Sequence, residues 1–170
     1  MREYKLSDEF LSTGVPTAGD LKYVLPPDER LERGPCVVVE CFQRIPCNPC
    51  TRACPSGAIK IEGNINNLPE VDFDKCTGCG VCIAHCPGLC IFVVHKNYTE
   101  KTGRVMIPYE FLPVPEKGEI VDGLNRAGEK VCDAKVLRVI NNPKQDKTLI
   151  IDVEVPKNLI NEVRMIKVRR

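Results

Sequence analysis

The stretch that decides the reading is Cys76-Thr77-Gly78-Cys79-Gly80-Val81-Cys82-Ile83-Ala84-His85-Cys86-Pro87. It is the second copy of a pattern that the chain writes twice. Cys47, Cys50, Cys54, Pro55, Ala58 and Ile59 recur 32 residues later as Cys79, Cys82, Cys86, Pro87, Cys90 and Ile91. In the second copy Cys76 precedes Cys79 by three positions. In the first copy Cys41 matches it after a three-residue insertion, whereas Cys36 would need eight and would stand ahead of the Val37-Val38-Val39 run. Cys41 is therefore the expected first member, with Cys36 as its alternative.

The two copies read Cys41-x5-Cys47-x2-Cys50-x3-Cys54-Pro55 and Cys76-x2-Cys79-x2-Cys82-x3-Cys86-Pro87. The second resembles the bacterial ferredoxin run C-x2-C-x2-C-x3-C-P, whose fourth cysteine ligates the other of two clusters. Gly78 and Gly80 give a short loop the freedom to turn successive thiolates toward one centre. The proline ends the local hydrogen bonding and redirects the chain. The expected ligand sets cross over: Cys41, Cys47, Cys50 and Cys86 for one [4Fe-4S] cluster, and Cys76, Cys79, Cys82 and Cys54 for the other. Pro46 and Pro49 stand in the first loop where glycine would be more comfortable. A three-iron form, or Cys36 in place of Cys41, is the alternative there. Structural zinc is disfavoured because it takes paired cysteines a dozen or more residues apart, not two runs of closely spaced ones.

The remaining thiols have plainer readings. Cys90 falls at the position of Ala58 and is expected as a small packed residue near a cluster. Cys36 is expected in a core strand and Cys132 in the β-rich part. His85 precedes a ligand and could donate to a cluster sulfur or serve in packing; His95 is expected at the surface. Ile45, Ala53, Ile59, Val81, Ile83, Leu89 and Ile91 are expected to keep water from the sulfurs.

Composition bounds what surrounds this module. The 170 residues include 11 Cys, 14 Pro and no Trp, are 43% hydrophobic and 28% charged, and carry a net charge of +1. That balance excludes nucleic-acid binding by bulk charge. No apolar run approaches the roughly 18 residues that a membrane span needs. Met1–Lys5 leads into no apolar stretch, so the expectation is no secretory leader, a cytoplasmic location and reduced thiols. The net charge is −2 over residues 1–35, −1 over 36–95 and +4 over 96–170. Two oxidised cubanes on eight thiolates would add roughly −4.

Three regions follow. Residues 1–35 are broken by Gly14, Pro16, Pro26 and Pro27, and read as an extended arm with short turns at Ser7–Glu9 and Asp28–Arg33. Such an arm is either mobile or laid over another chain; Tyr4, Leu6, Phe10, Leu11, Leu21, Tyr23, Val24 and Leu25 make it more apolar than a linker, so docking is the expectation and mobility the alternative. Residues 36–100 form the two-cluster domain. Its strands are expected as two hairpins, Val37–Glu40 with Ile59–Glu62 and Glu70–Phe73 with Ile91–Val94. Residues 101–170 are rich in Val and Ile at Arg104–Ile107, Val131–Ile140, Thr148–Val155 and Val163–Val168. They read as a docking extension built as a small antiparallel β-barrel or rolled sheet. The fold class is thus α+β, a ferredoxin-like two-cluster module with an N-terminal arm and a β-rich extension.

The phrase Glu40-Cys41-Phe42-Gln43-Arg44-Ile45-Pro46-Cys47-Asn48-Pro49-Cys50, the preceding Gly34-Pro35 and the β extension carry a closer likeness. They resemble the small iron–sulfur subunits of heteromeric FAD-dependent amino-acid or amine dehydrogenases, the proline, hydroxyproline and sarcosine type. That resemblance implies FAD on partner flavoprotein chains, a hetero-oligomer and a separate electron acceptor. The expected function is a one-electron relay without an active site of its own. A freely diffusing ferredoxin and a non-redox structural or sensing protein are the alternatives.

Overall fold

The computed structural model describes residues 4–169. Three short helices open it: α1 (Asp8–Thr13), α2 (Ala18–Leu21) and α3 (Asp28–Glu32). Ser7 caps α1 by accepting from the Phe10 N–H, and Thr17 and Asp20 form a reciprocal capping box on α2. Helices this short are unstable alone and need a surface to pack on. They find it on their own chain, where Leu21, Val24 and Leu31 are buried. The region expected as an extended arm over another chain is therefore a set of helical turns folded back on the cysteine-rich module; residues 1–3 lie outside the described range. Tyr4 stacks on Tyr23 at 4.7 Å between centroids, and Phe10 meets Phe42 edge-on at 5.0 Å. Phe42 belongs to the insertion after Cys41, so the insertion serves as an anchor for the arm.

The rest alternates as β1 (Cys36–Val39), α4 (Pro49–Ala53), β2 (Ile59–Lys60), β3 (Glu70–Val71), α5 (Val81–Ala84), β4 (Ile91–His95), β5 (Thr102–Tyr109), β6 (Ile120–Leu124), β7 (Lys130–Ile140), β8 (Leu149–Pro156) and β9 (Met165–Lys167). Seven strands form one antiparallel sheet in the order β1-β4-β5-β8-β7-β6-β9, and β2 and β3 pair separately. The hairpins expected inside the module are thus exchanged: β1 pairs with β4, Cys36 opposite Val94 and Val39 opposite Ile91, while Ile59 lies opposite Val71. The reason is burial. All four residues of β1 are buried, and the first four of β4 are too. Two continuous apolar runs match each other, whereas β2 and β3 each set an apolar beside a charged residue and suit a half-exposed ladder.

The extension does not close into a barrel. Among the described residues β1 and β9 stand at opposite ends of the sheet without a ladder between them. The outward N–H of Val37 in β1 goes instead to Cys76 Sγ, at 3.4 Å. What joins the two ends is a set of ion pairs from Glu40, just after β1, to Arg126 and to Arg164, just before β9. Strand β6, which the sequence pattern did not reveal, is diluted by Gly123; a Cβ there would lie 2.8 Å from Cys132 Sγ.

Strand alternation gives the sheet two unlike faces. Cys36 and Val38 of β1 join Val105, Ile107, Val121, Val136, Ile151, Val153, Val163 and Ile166 in one core enclosed by the curled sheet. Val37 and Val39 point the other way, with Val93, Met106 and Ile150, and pack against Cys50, Ile59, Cys82 and Ile83. The cysteine-rich module therefore sits on the outer face of β1, β4, β5 and β8. Among the described residues no helix is long and apolar enough to cross a membrane.

Candidate metal centre

The two cysteine loops are built differently. Gly78 and Gly80 have φ of +68° and +78°, where a side chain is strained. Both are also crowded: a Cβ on Gly78 would fall 2.6 Å from Pro35 Cβ, and one on Gly80 2.7 Å from Met106 Cε. In the first loop Pro49 instead opens α4, a position that needs no N–H. Each one-turn helix carries the third cysteine of its run, Cys50 in α4 and Cys82 in α5, and the chain leaves the turn through Cys54-Pro55 or Cys86-Pro87.

This exit sends each fourth cysteine across. One cavity is lined by Cys41, Cys47, Cys50 and Cys86, with Cys90 and the apolar Val39, Ile45, Ile61 and Ile91. The other is lined by Cys54, Cys76, Cys79 and Cys82, with Val37, Ala58, Ile59 and Val93. All eight sequence-selected cysteines are brought to these two cavities, four to each. All 11 cysteines are free thiols. Among the described residues no three His, Cys, Asp or Glu side chains converge closely enough to hold a single metal ion. Four soft donors spread around an apolar hollow suit a body with one metal per corner, as in a cubane cluster, better than one bare ion.

The electrostatics show why such a centre needs cations. Burial pushes the Cys82 thiol up to about 12 and that of Cys50 to about 11, and the neighbouring thiolates add to the effect. Burial also raises Cys47. The opposite holds where donors point at sulfur. A hydrogen bond from Cys36 lowers Cys76 to about 6, and one from Cys90 lowers Cys86 to about 6. Cys90 lowers Cys41 as well. Burial opposes charge on Cys54, but the Ser56 hydroxyl and the backbone amides of Ile59, Ala58 and Ser56 bring it below the usual thiol range. The Ala58 N–H lies 3.2 Å from Cys54 Sγ.

Of the neighbouring residues, Cys36 lies in the core of β1 and Cys90 beside a cavity, both as expected, while others fall elsewhere. Cys36 is fully buried beside Cys76 and lines neither cavity. Cys90 is closer to the centre than its small-residue position suggested, 3.5 Å from Cys86 Sγ. His85 Nδ1 bonds the Val81 carbonyl of its own turn at 2.9 Å, so that nitrogen serves the helix and not a sulfur. His95, expected at the surface, is half-buried at the end of β4 with its ring edge-on to that of Tyr98. Of the expected apolar shell, Ile59, Ile83 and Ile91 are buried, but Ile45 is 46% and Val81 41% exposed. Val81 starts a one-turn helix facing outward, and Ile45 rides on the inserted loop. The shell residues that sequence reading missed, Val37, Val39, Val93 and Met106, come from strands whose partners only the fold reveals.

Glu40 was also missed. Its Oε1 accepts from Arg126 at 2.6 Å and from Arg164 at 2.7 Å, and its Oε2 from Arg126 at 2.9 Å. Burial works against its charge, yet the two guanidiniums hold its carboxyl below the ordinary glutamate range. Nothing near Glu40 in sequence signals two partners 86 and 124 residues away.

Comparison with known proteins finds a known domain over the cysteine-rich module. Residues 43–90 match the 4Fe-4S dicluster domain. The module so defined takes in seven of the eight cysteines and starts just after Cys41. The chain is 43% identical over 72 residues to a selenate reductase subunit of Mesobacillus selenatarsenatis, covering 41% of this chain and 23% of that protein. It is 36% identical over 94 residues to a methylamine utilization ferredoxin-type protein of Methylorubrum extorquens, covering 45% and 43%. It is 42% identical over 43 residues to a pyruvate synthase subunit, PorD, of Methanothermobacter marburgensis, covering 25% and 46%. The chain thus spans less than half the length of each of these relatives. No solved structure matches it. The dicluster domain is a ferredoxin-type iron–sulfur module.

Proposed function

We propose that the chain is an electron-transfer subunit of an oxidoreductase complex, relaying single electrons through two [4Fe-4S] clusters between a partner flavoprotein and an acceptor. In this reading Cys41, Cys47, Cys50 and Cys86 hold one cluster, and Cys76, Cys79, Cys82 and Cys54 the other. The supporting observation is the exchange of the fourth cysteine between two four-cysteine cavities in one small module. When bound, the clusters supply one-electron redox chemistry at two sites. The chain's own residues exclude water through Ile59, Ile83 and Ile91, and stabilise negative sulfur through the Val37 and Ala58 amides. The division into an arm (1–35), a cluster domain (36–100) and a docking extension (101–170) belongs to the same proposal, as does a reducing, cytoplasmic setting that keeps the thiols free.

The partner we propose is an FAD-bearing dehydrogenase of amino acids or amines. The phrase from Glu40 to Cys50 supports this, and a methylamine utilization protein is among the relatives. Native purification tests it: the chain should arrive with FAD-bearing chains, whereas a species running alone at 19.0 kDa would favour a free shuttle. In the complex, Cys82→Ala should cut electron delivery to the acceptor by roughly tenfold or more while flavin reduction by substrate persists. Loss of flavin reduction in that variant would contradict the relay.

A further inference from the structure

We infer that Glu40, Arg126 and Arg164 form a buried charge-setting group that positions the Cys41 loop and raises the reduction potential of the cluster held there; this rests on the ligand sets proposed above. Glu40 immediately precedes Cys41. Its N–H donates to the Cys90 carbonyl at 2.8 Å, so its backbone is tied to the residue whose thiol lies beside Cys86 Sγ, just ahead of β4. Its side chain is 8% exposed, and those of Arg126 and Arg164 are 9% and 4% exposed. The carboxylate comes from the cluster loop and both guanidiniums from the β extension.

The charges in this group do not cancel. Two guanidiniums face one buried carboxylate. A second carboxylate, Glu162, reaches Arg126 only at 4.0 Å and is half exposed, so water screens it. Arg164 Nη1 donates to the Ile160 and Val163 carbonyls, while Nη2 is buried with no hydrogen-bond partner. Its guanidinium lies 5.0 Å from the centroid of Phe92 in β4. A fold needing only cohesion here would do as well with packed apolar side chains. A net positive charge kept in low dielectric one residue from Cys41 favours the reduced, more negative state of the cluster held there, as the buried Arg30 guanidinium does at the Cys76 loop. Arg30 spends its guanidinium on four carbonyls, those of Phe73, Gly34, Pro35 and Cys76.

Redox titration of the purified two-cluster protein, followed by EPR, tests the inference. Cys79→Ser, at the exposed ligand, marks which midpoint belongs to the second cluster. Glu40→Gln removes a buried negative charge and should shift the unmarked midpoint upward; Arg126→Gln removes a positive charge and should shift it downward; Arg126→Lys should restore most of the original value. A structural role alone would move both variants in the same direction or not at all. Equal signs, no shift, or a shift confined to the marked cluster overturns the inference. Should Glu40→Gln fail to fold, the sign of the Arg126→Gln shift decides. Absence of two cluster signals in the unaltered chain would instead overturn the ligand reading on which the inference rests.

Discussion

Gly78 shows how a single residue can be required twice. Its φ of +68° strains any side chain, and its missing Cβ makes room for the Pro35 backbone, whose oxygen would otherwise lie 2.7 Å away. Gly14 shares the first property, with φ of +75°, but has nothing within 4 Å of a Cβ. Gly14→Ala should therefore cost about 1 kcal/mol from backbone strain alone. Gly78→Ala should cost roughly 3 kcal/mol or more and lower the iron content at the second cavity. Thermal unfolding and iron analysis of the two variants check the contrast. Asp20 is a second case. It accepts from the Ser7 and Thr17 hydroxyls at 2.7 and 2.6 Å and from both their backbone N–H groups. Burial opposes its charge, yet these donors hold the carboxyl far below the ordinary aspartate range. Because the folded value lies below the unfolded one, the stabilisation is complete above about pH 4 and is lost as pH falls further. In urea unfolding, the stability gap between the native chain and Asp20→Asn should narrow as pH drops below about 4; a gap constant with pH would contradict this.

At the scale of elements, α3 is fixed by one side chain. Arg30 reaches from this five-residue helix to carbonyls on the second cysteine loop and its approach, including Cys76 at 2.7 Å and Phe73 at 2.6 Å. Arg30→Met keeps the bulk but leaves those carbonyls without their donor. It should cost about 3 kcal/mol and loosen the loop that carries Cys76. Faster hydrogen exchange around residues 74–80 than around β7 would register it, and uniform exchange would count against a local role. Short elements also explain what was hard to read. Strands β2 and β3 have two residues each, too few to choose a partner by pattern, so pairing followed the burial of β1 and β4 instead.

At the scale of the molecule, one sheet serves two interiors. The inner faces of its strands close a core, and the outer faces of β1, β4, β5 and β8 form the floor beneath both cavities. Strand β4 has β5 as its partner on the side away from β1, with Val93 opposite Met106 and Val94 opposite Val105. A chain ending at residue 100 would expose that edge and the faces of Val38, Phe92 and Val94. It should fail to retain two clusters and should aggregate. Size-exclusion chromatography and iron analysis of such a fragment are the check; a monomer with both clusters would show the module to be independent of the extension.

The cysteine spacing, the two glycines and the Cys-Pro exits were legible in the chain because each cysteine run, Cys41 to Cys54 and Cys76 to Cys86, is local, and local geometry turns its thiols inward. Most of the β segments of the extension were legible from their Val and Ile runs for the same reason. What only the tertiary structure decided was everything set by contacts at long range. The exchange of strand partners, the choice of an open sheet over a closed barrel, the arm folded on its own chain and the Glu40–Arg126–Arg164 group all depend on which buried surfaces meet. Hydrophobic burial is non-directional and fixes no partner by sequence distance, so a residue such as Glu40 acquires its role only when the sheet brings positions 126 and 164 beside it.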